Sequence, residues 1–101
     1  MKIPEMFQQK KPVFSMEIFP PKKKANIDSI YETVEKLKVC DPDFISVTYG
    51  AGGSMTDNYT CEIASNIKKR FGIETLAHLT CINSTKEEID YILNDLKAHG
   101  I

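Results

Sequence analysis

The sequence predicts a parallel α/β protein, the first three βα units of a (β/α)8 TIM barrel, on three observations. Three short runs rich in β-branched and aromatic residues, Val13 to Phe19, Phe44 to Tyr49 and Thr75 to Cys81, read as strands. Each is followed by apolar residues at helical spacing. The strand starts at Val13, Phe44 and Thr75 lie 31 residues apart, a regular unit that suits repeated βα crossovers rather than a sandwich or a bundle. An open doubly wound sheet is the competing architecture. Even unit length and the lack of a dinucleotide-binding fingerprint favour the barrel.

Taken in order, Met1 to Lys11 reads as a short helix ahead of the first strand. After that strand, Asn26 is the expected N-cap of a helix whose apolar stripe is Ile27, Ile30, Tyr31, Val34 and Leu37. After the second strand, Thr56 is the expected cap, Ile63, Ala64, Ile67 and Phe71 the buried stripe, and Gly72 the C-terminal stop. The third helix has the clearest start, because Ser84-Thr85-Lys86-Glu87 matches a capping box. Its stripe is Ile89, Ile92, Leu93 and Leu96, and Gly100 ends it. Residues 1–101 are expected to form the N-terminal portion of one barrel domain. A complete barrel needs about 250 residues, so the chain is expected to be a truncated piece with an unpaired edge and an uncovered apolar face.

Composition narrows the function classes. With 13 basic and 14 acidic residues the formal charge is -1, which does not provide the basic footprint of a nucleic-acid binder. No apolar run approaches the roughly 18 residues of a membrane span, and Met1-Lys2-Ile3-Pro4-Glu5 lacks a signal peptide's apolar stretch. A cytoplasmic location is expected. Cys40, Cys61 and Cys81 are odd in number and far apart, so reduced, partly buried thiols are expected rather than disulfides or a zinc site.

Strand alternation separates two faces. Phe14, Met16 and Ile18 form an apolar face in the first strand, opposite Val13, Ser15, Glu17 and Phe19. In the second strand Ile45, Val47 and Tyr49 oppose Phe44, Ser46 and Thr48. In the third, Ala77, Leu79 and Cys81 oppose Leu76, His78 and Thr80. A barrel interior is normally filled by branched apolar layers, so Glu17, Thr48, His78 and Thr80 form a polar cluster at the strand ends where barrel active sites lie. A carboxylate on the inward face must be paired, neutralised or put to work. The competing readings are a structural acid for Glu17, a carbonyl-bonded core histidine for His78 and ordinary strand threonines for Thr48 and Thr80.

Tyr49-Gly50-Ala51-Gly52-Gly53-Ser54 lets backbone amides approach a ligand, or else serves only as a tight βα connection. Met55 stands where a dinucleotide fingerprint needs its third glycine. Lys22-Lys23-Lys24 reads as a solvated charge run, with contact to an anionic substrate tail as the alternative. His99 suits the dipole at its helix's C-terminus.

Three of these segments carry a resemblance. Phe14-Ser15-Met16-Glu17-Ile18-Phe19-Pro20-Pro21, Asp43-Phe44-Ile45-Ser46-Val47-Thr48-Tyr49-Gly50-Ala51-Gly52-Gly53 and Ala77-His78-Leu79-Thr80-Cys81 occur in the order found in methylenetetrahydrofolate reductases. Past Lys11 nearly the whole chain resembles that family. The resemblance implies a (β/α)8 barrel holding FAD, which is reduced by NADH or NADPH and passes a hydride to the methylene carbon of methylenetetrahydrofolate. It implies Glu17 as the general acid that opens the folate's five-membered ring. Tyr49, Ala51 and His78 match positions that contact FAD, and Thr48 matches one near the flavin and nicotinamide. Folate is the implied substrate, and a homo-oligomer of the full-length enzyme is expected. The family's Arg-Gly-Asp motif follows a fourth strand and is absent from these 101 residues, so the isolated piece is expected to be inactive. A non-catalytic barrel piece used as an assembly surface is the alternative. A different pterin-handling barrel, such as a methyl transferase, is a third reading.

Overall fold

The computed structural model describes residues 1–9, 11–21, 26–49 and 59–101. The chain forms α1 (Ile3–Gln8), β1 (Ser15–Ile18), α2 (Ile27–Leu37), a 3-10 turn (Lys38–Cys40), β2 (Phe44–Val47), α3 (Thr60–Phe71), β3 (Glu74–Ala77) and α4 (Lys86–Ala98). The strands make one parallel sheet in the order β1-β2-β3. The predicted parallel α/β architecture is therefore observed, with three βα units in sequence.

The strands are shorter than the sequence suggests. Each has four residues, because a strand is bounded by its ladder and not by its β-prone composition. Single bonds carry the pairing a little further. Asp43 N–H donates to Phe14 O at 2.8 Å, Thr48 N–H to Ile18 O at 3.1 Å and His78 N–H to Val47 O at 2.9 Å. Thr80 and Cys81 lie beyond the third strand, in the connection to α4.

One sheet face is apolar and covered by helices. Ile45 and Val47 from β2 are fully buried with Val34 of α2 and Ile63, Ala64 and Ile67 of α3. Each buried valine or isoleucine contributes about 1.5–3 kcal/mol. Ile18, Ile27, Tyr31 and Ile73 complete the cluster. Thr75 also faces the helices, and its hydroxyl satisfies itself by donating to Ala64 O at 3.1 Å. Phe14 departs from the alternation: assigned to the covered face, it is half exposed because it precedes β1 and lies outside its ladder.

The helix ends follow local rules, with two adjustments. Asn26 occupies the N-cap position of α2 but its side chain makes no cap bond; Ser29 Oγ donates to Asn26 O at 2.7 Å instead. The capping residue of α4 is Thr85 rather than Ser84, since Thr85 Oγ1 accepts the Glu88 N–H at 3.1 Å. The run of two hydroxyl residues before two glutamates allowed either register. Gly72 closes α3 in the left-handed conformation at φ 67°, its N–H bonded to Lys68 O at 3.0 Å. The expected cap Thr56 lies outside the described residues.

Two elements sit less deeply. α1 rests at the N-terminal end of the sheet, where Phe7 meets Phe44 edge-on at 6.3 Å. In α4 only Leu96 is buried; Ile89 and Ile92 are partly covered and Leu93 is 50% exposed, so the expected four-residue stripe is only partly used. No helix among the described residues is long and apolar enough to cross a membrane.

Candidate active site

Glu17 and Ser46 occupy the sheet face turned away from the helices, and the parallel ladder makes them register partners. Ser46 Oγ donates to Glu17 Oε1 at 3.0 Å. His78, held at the end of β3 by its backbone bond to Val47 O, brings Nε2 to 3.4 Å from that same carboxylate oxygen. The strand-end polar cluster expected from alternation thus includes a direct meeting of Glu17 and His78 across β2. Their side chains are 47% and 42% exposed, so solvent screens the pair and it adds at most about 1 kcal/mol of stability. Its value lies in geometry: one carboxylate oxygen is engaged twice on an open face.

The other expected residues are placed differently. Thr48 follows β2, and its carbonyl accepts Thr60 Oγ1 at 2.8 Å, which ties the strand end to the start of α3. Thr80 has a buried hydroxyl with no hydrogen-bond partner among the described residues, as does Tyr49. Tyr49 does not join Glu17. It lines a cleft of about 230 Å³ between the end of β3, α3 and α4, together with Cys61, Tyr91 and Asp95. Burial, and then the negative charge of Glu88, raises its phenol above the usual 10.0. His78 borders both places, touching Glu17 on one side and lining the cleft on the other. Ala51, the surrounding glycine-rich loop and Lys22 to Lys24 lie outside the described residues.

Two features escaped the reading of the sequence. Ser46 is the nearest hydrogen-bonding partner of Glu17: alternation puts both on one face, but the register that makes them neighbours shows only in the paired strands. The second is a cluster joining α3 to α4. Cys61 Sγ donates to Asp95 Oδ2 at 3.0 Å, and His99 Nδ1 lies 2.8 Å from Asp95 O and 3.4 Å from its Oδ1. Burial, the bond to Asp95 and that residue's charge push the Cys61 thiol up from 9.0 to about 12. Cys40 and Cys81, expected to be partly buried, are exposed and free, since one sits in the turn after α2 and the other in the loop after β3.

A parallel α/β unit whose polar side chains gather at the carboxyl ends of its strands has the architecture of enzymes that bind substrate at that end of the sheet. Residues 2–101 match the family model for methylenetetrahydrofolate reductase. The chain belongs to the methylenetetrahydrofolate reductase family.

Named relatives agree. A "Probable methylenetetrahydrofolate reductase (NADH)" of Oryza sativa subsp. japonica is 40% identical over 100 residues, covering 99% of this chain and 17% of the relative. The "5,10-methylenetetrahydrofolate reductase" of Buchnera aphidicola is 41% identical over 87 residues, 86% of this chain and 30% of the relative. That of Escherichia coli is 38% identical over 87 residues, 86% of this chain and 29% of the relative. The chain spans less than a third of the length of these relatives.

Proposed function

We propose that these residues are the opening three units of a (β/α)8 barrel that reduces methylenetetrahydrofolate to methyltetrahydrofolate, with Glu17 as its proton donor. The observation that carries the reading is the Glu17 carboxylate, held through Oε1 by Ser46 and His78 on the face opposite the packed core. The nitrogen that must leave when the folate's five-membered ring opens is aniline-like and weakly basic, so its departure needs a proton. A carboxylic acid fixed on the substrate face supplies it by general acid catalysis.

The residues suit a flavin. Thr80 offers a buried hydroxyl lacking a partner among the described residues, and His78 presents a half-exposed imidazole at the strand end. Thr48, Tyr49, Ala51 and His78 would hold FAD, which supplies the hydride carrier reduced by a nicotinamide. The rice relative is named for NADH, which supports NADH as the reductant. The chain's own residues bind and orient the ring system, and Glu17 delivers the proton.

In the intact enzyme, Glu17→Gln is expected to leave flavin reduction by nicotinamide within about twofold of wild type and to slow folate reduction about a hundredfold, the scale of lost general acid catalysis. Stopped-flow measurement of each half-reaction decides it. Equal slowing of both overturns the assignment. A second reading, a non-catalytic assembly surface, is favoured by the half-exposed Phe14 and the exposed Phe19 beside β1. Flavin absorbance of the purified intact protein supports the enzyme, whereas failure to take up added FAD supports the assembly surface.

A further inference from the structure

Ser46 has no part in the core, which lies on the other face of its strand. The residue is nevertheless only 9% exposed, so water competes poorly for its hydroxyl. Its cross-strand neighbours are Glu17 on β1 and Leu76 on β3. Leucine offers no polar atom, which leaves the Glu17 carboxylate as the hydroxyl's acceptor on this face, at 3.0 Å. The bond goes to Oε1, the same oxygen that His78 Nε2 approaches to 3.4 Å. The two oxygens of Glu17 are therefore unequal.

We propose that Ser46 is a positioning residue for Glu17, tying down Oε1 so that Oε2 is the oxygen that carries and releases the reacting proton. The inference rests on the reading of Glu17 as the acid. A neutral carboxyl group has one carbonyl oxygen and one hydroxyl oxygen. An oxygen that accepts the Ser46 hydroxyl and faces the His78 imidazole at 3.4 Å uses its lone pairs as an acceptor and is the natural carbonyl oxygen. The proton then resides on Oε2. Proton transfer breaks the Oε2–H bond and forms an N–H bond on the substrate, and the resulting carboxylate keeps Ser46 on Oε1 throughout. Without Ser46 the carboxyl group can rotate and exchange its oxygens, and productive orientation is lost for part of the time.

The test uses the intact enzyme and its two half-reactions. Ser46→Ala is expected to slow folate reduction about tenfold, the scale of one lost hydrogen bond to a reacting group, with the folate KM and the flavin-reduction rate within about twofold. Ser46→Thr, which keeps a hydroxyl, is expected to restore most of the rate. In a Glu17→Gln background, Ser46→Ala is expected to cost nothing further, because a residue that acts through Glu17 has no effect once the acid is gone. The inference is overturned if Ser46→Ala leaves folate reduction unchanged, slows both half-reactions together or costs the same in both backgrounds. If the alanine variant fails to fold, Ser46→Cys, near in shape and a weak donor, is judged by the same criteria. Should Glu17→Gln itself spare folate reduction, the acid assignment fails; should only the serine variants misbehave, the positioning role fails alone.

Discussion

Cys61 shows how a single contact sets reactivity. Its thiol donates to Asp95 Oδ2 beneath α4, and burial with that carboxylate's charge raises it to about 12. The thiolate is the nucleophile, and at pH 8 its fraction is small. Alkylation of Cys61 by iodoacetamide is therefore expected to be slow at pH 8 and to climb as pH approaches 12. Asp95→Asn removes the negative charge, lowers the thiol and is expected to speed alkylation several-fold at fixed pH; peptide mass mapping of Cys61 measures it. An unchanged rate in the variant would mean that burial alone protects the sulfur. This cluster was not legible in the sequence, because Cys61 and Asp95 lie far apart along the chain and only the packing of α3 on α4 joins them. Glu17 was legible, since alternation alone puts a carboxylate on the polar face. Its bond to Ser46 needed the register, which no single strand reveals.

At the scale of elements, helix ends were read well where a residue has one conformational use. Gly72 stops α3 at φ 67°, and apart from its chain neighbours no atom of the described residues lies within 4 Å of where a Cβ would stand. The constraint is thus backbone conformation and not space. Gly72→Ala is expected to cost about 1 kcal/mol through the left-handed penalty, and Gly72→Asn less, both read as shifts in thermal unfolding of the intact protein. Equal stability of the alanine variant would show that α3 can end another way. The start of α4 was less legible because Ser84 and Thr85 are chemically equivalent caps, and only the hydrogen bond to Glu88 N–H separates them. The strands are shorter than composition suggests for a similar reason: Val13, Leu79 and Cys81 suit strands but lie outside the paired registers, and Phe14 reaches β2 through a single backbone bond to Asp43.

Across the molecule, the repeat of strand and helix was legible because crossover chemistry recurs at even intervals, and the covered face followed from Ile45, Val47, Ile63 and Ile67. What composition did not show is how unevenly the helices are anchored. α3 buries Thr60, Ile63, Ala64 and Ile67, and α4 buries Leu96 alone along its 13 residues, with a cleft between it and the end of β3. Local opening is governed by such differences in buried contact. In deuterium exchange of the intact protein, the α4 amides are expected to exchange before those of α3 and β2, and simultaneous exchange would show one cooperative unit instead. The consequence reaches the polar face through His78, which touches Glu17 and also borders that cleft. One wall of its surroundings is rigid sheet and the other a lightly fastened helix, so a bulky ligand beside the imidazole would be accommodated by displacement of α4 and not by distortion of the strands that hold Glu17 and Ser46 in register.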